Sequence, residues 1–298
     1  MKTYVIGIDI GGTNTRIALI NERLEIERKE SFATQQFNQS KSFLSHLYDT
    51  VEKINFDKKA NTIGIVLPIP WKSNQKVMVD VANISYLEGL HVSEVEMLFD
   101  GYSLHFENDV NVVALLESKV GSAKGYNNSL YITISTGIGS GIIINNKIYS
   151  GANGYAGEIG TTPIHHPTKG VMWLEHLCSG DALHKESIRL FGEQGTAGML
   201  FEEYHKHQPD AIKVIDDWKE WLSTGLASLS LIVDPGIIVL GGAVTINQPW
   251  VLPLLMEATR KKVFPHMANK IKMEISTFGL DVGLIGAGHY ALVMLNAK

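Results

Sequence analysis

Apolar residues near the start of the chain occur in short runs and alternations that are typical of β-strands. Residues 4–10 form an apolar run that ends at Gly11 and Gly12, and residues 16–20 resume it at once. Residues 24–32 alternate apolar with charged side chains, which indicates a third strand with one exposed face. The pattern predicts a β-meander whose first turn is built from glycine.

The remainder of the chain alternates strand patterns with helical patterns. Further strands are predicted over residues 62–67, 104–107, 130–135, 142–144, 147–149, 237–240 and 271–278. Helices are predicted over residues 42–54, 109–120, 173–191, 196–207, 212–233, 249–263 and 284–295. Pro68 and Pro70 end the strand at 62–67, and Asn145-Asn146 is typical of a hairpin turn. This mixed order predicts an α/β fold.

The chain also contains an internal repeat. Residues 5–13 (VIGIDIGGT) and 131–139 (YITISTGIG) both consist of a strand, a glycine turn and the start of a second strand. A duplicated unit predicts two similar lobes, each presenting a glycine turn. Buried strands followed by glycine turns also resemble one another by chance, so the repeat alone leaves both interpretations open.

Composition and charge exclude several classes of protein. The chain has 298 residues, of which 45% are hydrophobic, and a folded chain of that length buries about 75% of its unfolded surface. With a net charge of −5 it has no basic field to attract nucleic acid. The single cysteine, Cys178, allows no disulfide within the chain and fits a reducing compartment. No apolar stretch is long enough to predict a membrane span, and we expect a cytoplasmic protein.

A glycine-containing octapeptide, DIGGTNTR, lies between the first two predicted strands. Gly11 and Gly12 allow backbone N–H groups to approach phosphate oxygens closely, and Thr13 and Asn14 add hydroxyl and amide donors. Asp9 ends the first strand, where its carboxylate can hold Mg²⁺ through water. An ordinary hairpin turn would also use two glycines. The spacing matches neither the Walker A loop nor the dinucleotide-binding GxGxxG motif.

Two further segments carry candidate chemistry. The turn TGIGSG supplies Thr136, Gly137 and Gly139 as a second candidate phosphate loop, by the same backbone argument. Asp109 follows a strand and begins a helix, where the helix dipole favours its negative charge. Such a carboxylate can orient a sugar hydroxyl and accept its proton late in phosphoryl transfer. The alternative is that Asp109 serves only as the N-cap of the helix.

Six motifs occur in an order that resembles the ROK family of sugar kinases over residues 4–290. They are DIGGTNTR, Glu-Asn-Asp at 107–109, TGIGSG at 136–141, Gly-Glu-Ile-Gly at 157–160, Leu-Glu at 174–175 with Ser-Gly at 179–180, and Asp-Pro at 234–235 leading to Gly-Gly at 241–242. The resemblance implies an actin/hexokinase-like ATPase fold with two ribonuclease H-like lobes and a central nucleotide cleft. We expect the lobes to span residues 1–120 and 121–298, with the closing helix over 284–298 packing back on the first.

The resemblance also implies roles for individual residues. It implies transfer of phosphate from ATP, with Mg²⁺, to a small-molecule sugar, with Asp109 as the general base. Sugar hydroxyls would be bound by Asn83, Asn108, Glu158 and Glu175. Nucleotide contacts would come from Asp9, Gly11, Gly12, Thr13, Asn14, Thr136, Gly137, Gly139, Gly241 and Gly242, the last two near the adenosine. Because members of the family are commonly dimers, we expect a homodimer.

The chain departs from the family pattern after the Gly-Glu-Ile-Gly motif. Most ROK members continue with a histidine and then a cysteine-rich loop that binds structural zinc, whereas this chain has Thr161 and no cysteine in residues 162–173. The remaining candidates have no standard zinc spacing: His165, His166, His176 and Cys178. We therefore expect no zinc site.

The missing histidine also bears on the substrate, because in the family it lies beside the anomeric end of the sugar. Zinc-less ROK proteins that resemble β-glucoside kinases share this departure, which implies a β-glucoside, or a disaccharide such as cellobiose, phosphorylated at a 6-hydroxyl. Trp71, Tyr155 and Trp173 could offer a flat apolar face to a sugar, or pack in the core.

Other functions stay open from the sequence. One alternative is a glucokinase or a kinase for an N-acetylhexosamine such as N-acetylmannosamine, and another is a non-catalytic sugar-binding protein. Transcriptional repressors of the family carry an N-terminal helix-turn-helix. Because the candidate phosphate loop begins at Asp9, we expect this chain not to be a repressor.

Overall fold

The computed structural model describes residues 3–279 and 281–297, which form two compact units. The strands are Tyr4–Ile10 (β1), Asn14–Asn21 (β2), Ile26–Ala33 (β3), Thr62–Leu67 (β4), Ser103–Asn108 (β5), Ser129–Ile134 (β6), Ile138–Ile144 (β7), Lys147–Ile148 (β8), Pro163–His166 (β9), Gly170–Trp173 (β10), Ile237–Gly241 (β11) and Met273–Ile275 (β12). The α-helices are Ser40–Ile54 (α1), Val92–Leu98 (α2), Asp109–Val120 (α3), Leu174–Cys178 (α4), Gly180–Phe191 (α5), Ala197–His205 (α6), Pro209–Val233 (α7), Ala243–Asn247 (α8), Val251–Arg260 (α9), Pro265–Ala268 (α10) and Val282–Asn296 (α11). Short 3₁₀ helices lie at Thr34–Gln36, Ser85–Leu87 and Ile159–Thr161. Within the described part of the chain, no helix is both long enough and apolar enough to cross a membrane.

The first unit contains the described residues up to Leu116, the segment Ile148–Ala156, and the described residues from Phe278 onward. Its sheet has the strand order β3-β2-β1-β4-β5. β1 is antiparallel to β2, with Asp9 opposite Arg16, and parallel to β4. β1 and β4 are buried on both faces, which explains their continuous apolar sequences, whereas β3 alternates buried with exposed positions at the sheet edge.

The second unit consists of Glu117–Lys147 and Gly157–Thr277. Its sheet has the strand order β12-β11-β6-β7-β8, in which β6 is antiparallel to β7 and parallel to β11. The central strand therefore has one antiparallel and one parallel neighbour, as β1 has in the first unit. The two halves of the sequence repeat, β1–β2 and β6–β7, occupy equivalent places in their sheets, and the predicted α/β class is confirmed.

The last helix, α11, packs backbone to backbone against the sheet of the first unit. A side-chain carbon at Gly64 in β4 would overlap the carbonyl oxygen of Ala287, and one at Gly7 in β1 would lie 2.7 Å from the carbonyl oxygen of Leu284. Because both obstacles are helix backbone, neither could move aside. These glycines therefore allow α11 to lie beside β1, the strand that contains Asp9.

Residues 162–173, the segment that lacks the cysteines of the family pattern, contain the β9–β10 hairpin. The His166 side chain stabilises its turn, because Nδ1 of the ring accepts the backbone N–H groups of Thr168 and Lys169 at 3.2 Å each. His166, which the sequence analysis considered only as a zinc candidate without standard spacing, therefore caps a hairpin turn.

Two other predicted elements need correction. The single helix predicted over 173–191 is divided into α4 and α5, because the backbone of Ser179 is extended and its hydroxyl caps α5 by accepting the N–H of Ala182. The strand predicted over 271–278 is shorter than expected, since only Met273–Ile275 pairs with β11.

Candidate active site

The first glycine turn joins β1 to β2. The Gly11 N–H donates to the carbonyl oxygen of Asn14 at 3.0 Å, which closes the turn. Thr13 and Asn14 are exposed, whereas Gly12 lies against Asn83, whose Cβ would be 2.9 Å from a side-chain carbon at Gly12. Gly12, predicted to contact phosphate, and Asn83, predicted to bind sugar, therefore lie next to one another in the first unit.

Asp9 lies near the end of β1 and is 6% exposed. It is the first of a row of side chains in which acidic and basic groups alternate. The Arg16 guanidinium donates to Asp9 Oδ2 at 2.6 Å and also lies 3.6 Å from Asp281, which pairs with Lys29 at 2.6 Å. Burial raises the pKa of the Asp9 carboxyl, and Arg16 opposes this effect in part. Gly283 provides the space, because a side-chain carbon there would lie 2.7 Å from Asp9 Oδ2.

Asn108 holds the junction between β5 and α3. Its Oδ1 accepts the N–H groups of Val110 at 2.9 Å and Asn111 at 3.0 Å, so Asn108 takes the N-cap position that the sequence left open for Asp109. Its Nδ2 donates to the carbonyl oxygen of Ile69 at 3.0 Å. Asp109, the first residue of α3, is half-buried at the positive end of the helix.

Glu107 is a buried carboxyl behind this junction, and the sequence analysis gave it no role. Its Oε1 accepts the backbone N–H of Asn108 at 2.9 Å and the side-chain amide of Asn111 at 3.0 Å. Burial raises the pKa of Glu107 to about 6, and these two hydrogen bonds oppose that shift. The signal that could have found it is a charged residue at the end of a strand, four residues before an asparagine on the following helix.

The second glycine turn, in the second unit, is joined to Glu175. Glu175 Oε2 accepts the backbone N–H of Ile138 at 2.8 Å, and a side-chain carbon at Gly137 would overlap the same oxygen. The N–H of Gly180 donates to the carbonyl oxygen of Ser135 at 2.6 Å, which ties the start of α5 to the turn. A predicted sugar ligand and a predicted phosphate loop are therefore in direct contact.

Glu158 lies in the segment between β8 and the 3₁₀ helix at Ile159–Thr161. Burial, and then the charge of Glu175, raise the pKa of the Glu158 carboxyl. The charge of Glu175 therefore acts on Glu158, the other glutamate predicted to bind sugar hydroxyls. Gly139 follows on β7 and pairs with Thr133.

A cavity of about 340 Å³ opens beside the second glycine turn. Its lining includes Thr136, Gly180 and His184, together with Ala243 and Val244 of α8. This volume lies within the range of small-molecule sites, about 300–1,000 Å³.

Gly241 and Gly242 connect β11 to α8, the helix that lines this cavity. A side-chain carbon at Gly241 would overlap the Tyr131 hydroxyl, and one at Gly242 would overlap the carbonyl oxygen of Ile134. Both glycines are therefore needed for the close packing of β11 on β6, which sets the position of α8.

A sequence model of the ROK family matches residues 5–293 of this chain. The chain belongs to the ROK family. It is 28% identical to an N-acetylgalactosamine kinase of Shewanella sp. over 94% of each chain, and 27% identical to a glucokinase of Halalkalibacterium halodurans over 96% of this chain and 94% of that one. The crystal structure of a ROK hexokinase from Thermus thermophilus matches all of both chains, with a TM-score of 0.83 and 27% identity.

These similarities confirm the predicted family and the predicted fold. They also support the predicted phosphorylation of a sugar hydroxyl, because ROK relatives that match along most of their length are named sugar kinases. These relatives are named for different sugars. A xylose repressor of Bacillus spizizenii is also similar, at 26% identity, but the match spans 59% of that protein.

Thr161, at the position where the family resemblance predicts a histidine, donates its hydroxyl to the carbonyl oxygen of Glu158 at 2.9 Å. The His176 ring stacks on Trp173 with centroids 5.2 Å apart, and Cys178 is buried with its Sγ directed at the carbonyl oxygen of Trp218. Among residues 3–279 and 281–297, no three histidine, cysteine or acidic side chains are grouped as metal ligands would be.

The three aromatic residues proposed to face a sugar have different surroundings. Trp71 is 3% exposed and packs against Phe106, with ring centroids 5.5 Å apart, so it belongs to the core. Tyr155 and Trp173 are half-exposed. Of the three, these two retain a surface that a ligand could contact.

Proposed function

We propose that this ROK protein transfers the γ-phosphoryl group of ATP to a hydroxyl of a hexose or hexoside, with Asp109 as the general base. The observation that carries the proposal is the β5–α3 junction. There the carboxylate of Asp109 stands at the positive end of α3, directly after an asparagine fixed by three hydrogen bonds. The helix dipole favours the ionised carboxylate, which can orient the attacking hydroxyl and accept its proton.

Each unit, taken by itself, contains candidate partners for a nucleotide. The Gly11 N–H closes the first turn, and the rest of that turn, Gly12, Thr13 and Asn14, offers donors to phosphate oxygens. In the second unit, the turn at Thr136, Gly137 and Gly139 offers donors of the same kind. We assign the adenosine to the cavity of about 340 Å³, because α8 begins there directly after Gly241 and Gly242.

The end of β1 fits a nucleotide-bound Mg²⁺. Proteins usually hold this ion through one or two carboxylates together with substrate phosphates, and Asp9 supplies one carboxylate next to a glycine turn. When bound, Mg²⁺ would neutralise charge on the transferring phosphate. Arg16 keeps the buried Asp9 side chain in place beside the turn.

The predicted sugar ligands have the hydrogen-bonding groups that this role requires. Asn108 uses one amide hydrogen for the Ile69 carbonyl, and its amide has a second. Glu175 holds Ile138 with Oε2, and its Oε1 can accept a sugar hydroxyl. Glu158 and Asn83 complete the set of proposed ligands. Binding of sugar by Glu175 would also fix the second glycine turn, because the same carboxylate contacts both.

The finer proposal for the acceptor is a β-glucoside or disaccharide phosphorylated at a 6-hydroxyl. It rests on Thr161, which is short and turned towards the Glu158 carbonyl where the family has a histidine. A second candidate is an N-acetylhexosamine, because similar proteins include kinases named for N-acetylgalactosamine and N-acetylglucosamine.

Release of ADP from Mg-ATP tests the proposal against glucose, N-acetylglucosamine, N-acetylmannosamine, cellobiose and an aryl β-glucoside. We expect turnover with at least one acceptor and a kcat lowered by about 10²–10⁴-fold in Asp109→Asn, with little change in sugar binding. Asp100→Asn, an exposed aspartate on the same unit, is the matched control and should keep its activity. Near-normal kcat in Asp109→Asn would remove Asp109 from the base role, and silence on all acceptors would favour a non-catalytic sugar-binding protein.

We also propose that the protein is a homodimer and acts in the cytoplasm. Both are expectations from the sequence and its family resemblance. Sedimentation equilibrium tests the first: a mass near the 32.9 kDa of one chain would contradict it. Fractionation of the source cells tests the second.

A further inference from the structure

A second cavity, of about 400 Å³, lies within the first unit, and none of the roles assigned above uses it. It is lined by the segment after β4 and by the loop before Ala156, including Lys72, Asn74, Gln75, Lys76, Asn153 and Tyr155. Pro70, also in the lining, directly follows Ile69, whose carbonyl oxygen is bound by Asn108. The cavity lining therefore begins one residue after the hydrogen-bond partner of Asn108, the residue proposed to bind the sugar.

The walls of this cavity are held together by hydrogen bonds and close packing. The Tyr155 hydroxyl donates to the carboxylate of Asp80, which joins the two lining segments. Gly154 lies against Trp71, whose backbone carbon would be 3.0 Å from a side-chain carbon at Gly154. Gln75 donates its side-chain amide to the Val77 carbonyl oxygen at 3.1 Å. The cavity is thus a built feature of the unit rather than a gap between two free loops.

The cavity has an excess of positive charge. No lining residue is acidic, and neither Lys72 nor Lys76 pairs with a carboxylate anywhere in residues 3–279 and 281–297. The neighbouring acid, Asp80, accepts the hydroxyl of Tyr155. Because this neutral donor removes no charge, Asp80 offsets one of the two lysines, and an excess of one positive charge remains. Four other lysines of the same unit do pair with carboxylates: Lys29, Lys53, Lys58 and Lys59.

We propose that this cavity binds the part of the acceptor beyond its phosphorylated ring, and that it selects an acceptor whose outer part carries an anionic group such as a carboxylate, sulfate or phosphate. The two ammonium groups supply the charge, while the amides of Asn74, Gln75 and Asn153 can hydrogen-bond to the same group or to adjacent hydroxyls. This inference rests on the proposed function, because it assumes that Asn108 marks the sugar side of the unit.

The test compares two aryl β-glucosides that differ in one group, 4-carboxyphenyl and 4-carbamoylphenyl β-glucoside. Both kcat/KM and the dissociation constant without nucleotide are measured for the wild type, for Lys72→Gln/Lys76→Gln, and for the control Lys41→Gln. Lys41 is an exposed lysine of the same unit that makes no ion pair among the described residues. We expect the wild type and the control to prefer the carboxylate by about 3- to 20-fold at low salt. The preference should disappear in the double variant and shrink at about 0.5 M salt.

Equal binding of both glucosides to the wild type, or a preference that survives the double substitution, overturns the inference. Rejection of both glucosides by an enzyme that phosphorylates a free monosaccharide also overturns it and leaves the kinase proposal standing. If no sugar is phosphorylated, the kinase proposal fails, while the dissociation constants still decide whether the cavity selects an anion. Equal affinity that falls for both compounds in the double variant would indicate a site for a neutral ring instead.

Discussion

Replacing Asn108 by alanine should separate the structural role of this residue from its proposed role in sugar binding. The substitution removes the N-cap of α3, which costs about 1 kcal/mol. It also leaves the carbonyl of Ile69 without its donor, and because Ile69 is 1% exposed, water has little access to replace that donor. An unsatisfied buried carbonyl costs about 1–3 kcal/mol. We expect the free energy of unfolding to fall by about 2–4 kcal/mol, which corresponds to a midpoint lowered by roughly 5–15 °C.

Thermal unfolding followed by calorimetry and far-ultraviolet circular dichroism measures this change. Asn108→Asp keeps the oxygen that caps α3 but puts a carboxylate oxygen against the Ile69 carbonyl, so it should lose stability as well. The matched control, Asn269→Ala, changes an exposed asparagine and should stay within about 0.5 kcal/mol of the wild type. A midpoint for Asn108→Ala within about 1 °C of the wild type would refute the reasoning. Loss of sugar binding at a temperature where the variant remains folded would support the additional role.

Three further predictions concern single side chains. Because burial raises the pKa of Glu107 from its ordinary 4.5 to about 6, the folded state holds the proton more tightly, and stability falls as the pH rises through this range. The free energy of unfolding of the wild type, measured with urea, should therefore decrease by about 2 kcal/mol between pH 4 and 7. In Glu107→Gln this decrease should be absent; a decrease of the same size in the variant would contradict the burial argument. Gly137→Ala should displace the Glu175 carboxylate and lower kcat/KM by about tenfold to hundredfold. The control, Gly279→Ala, places its methyl group in open space and should keep the wild-type kcat/KM. Equal kcat/KM in the two variants would show that the contact between Gly137 and Glu175 is dispensable. Cys178 should resist thiol reagents in the native protein, since it is buried and burial raises its pKa, but react in denaturant; rapid native labelling would contradict its placement.

The sequence was most informative where a local pattern has one physical cause. β1 and β4 are central strands buried on both faces, so their apolar runs marked them with their observed bounds. The Asn145-Asn146 turn was predictable because both residues adopt positive φ, 52° and 62°, as the hairpin requires. The start of α3 at Asp109 followed from the change of pattern after a short strand.

The contacts that organise each half of the candidate site could not be predicted from local patterns. Gly12 meets Asn83, and Glu175 accepts from Ile138, only because distant segments fold together. The segment Ile148–Ala156 joins the first unit although it lies within the sequence of the second, and its composition carries no sign of this. These features depend on tertiary packing, and the periodicity of apolar residues in a single sequence reports only local structure.

The central claim is that the chain makes a phosphate ester of a sugar through Asp109. Its most direct test is to incubate the protein with Mg-ATP and the sugars named above, and to detect the product by ³¹P magnetic resonance and mass spectrometry. The account predicts a sugar 6-phosphate formed with one ADP for each ester by the wild type, and formed about 10²–10⁴-fold more slowly by Asp109→Asn. ADP formed without any sugar ester, or the same ester formed at the same rate by both proteins, would contradict it.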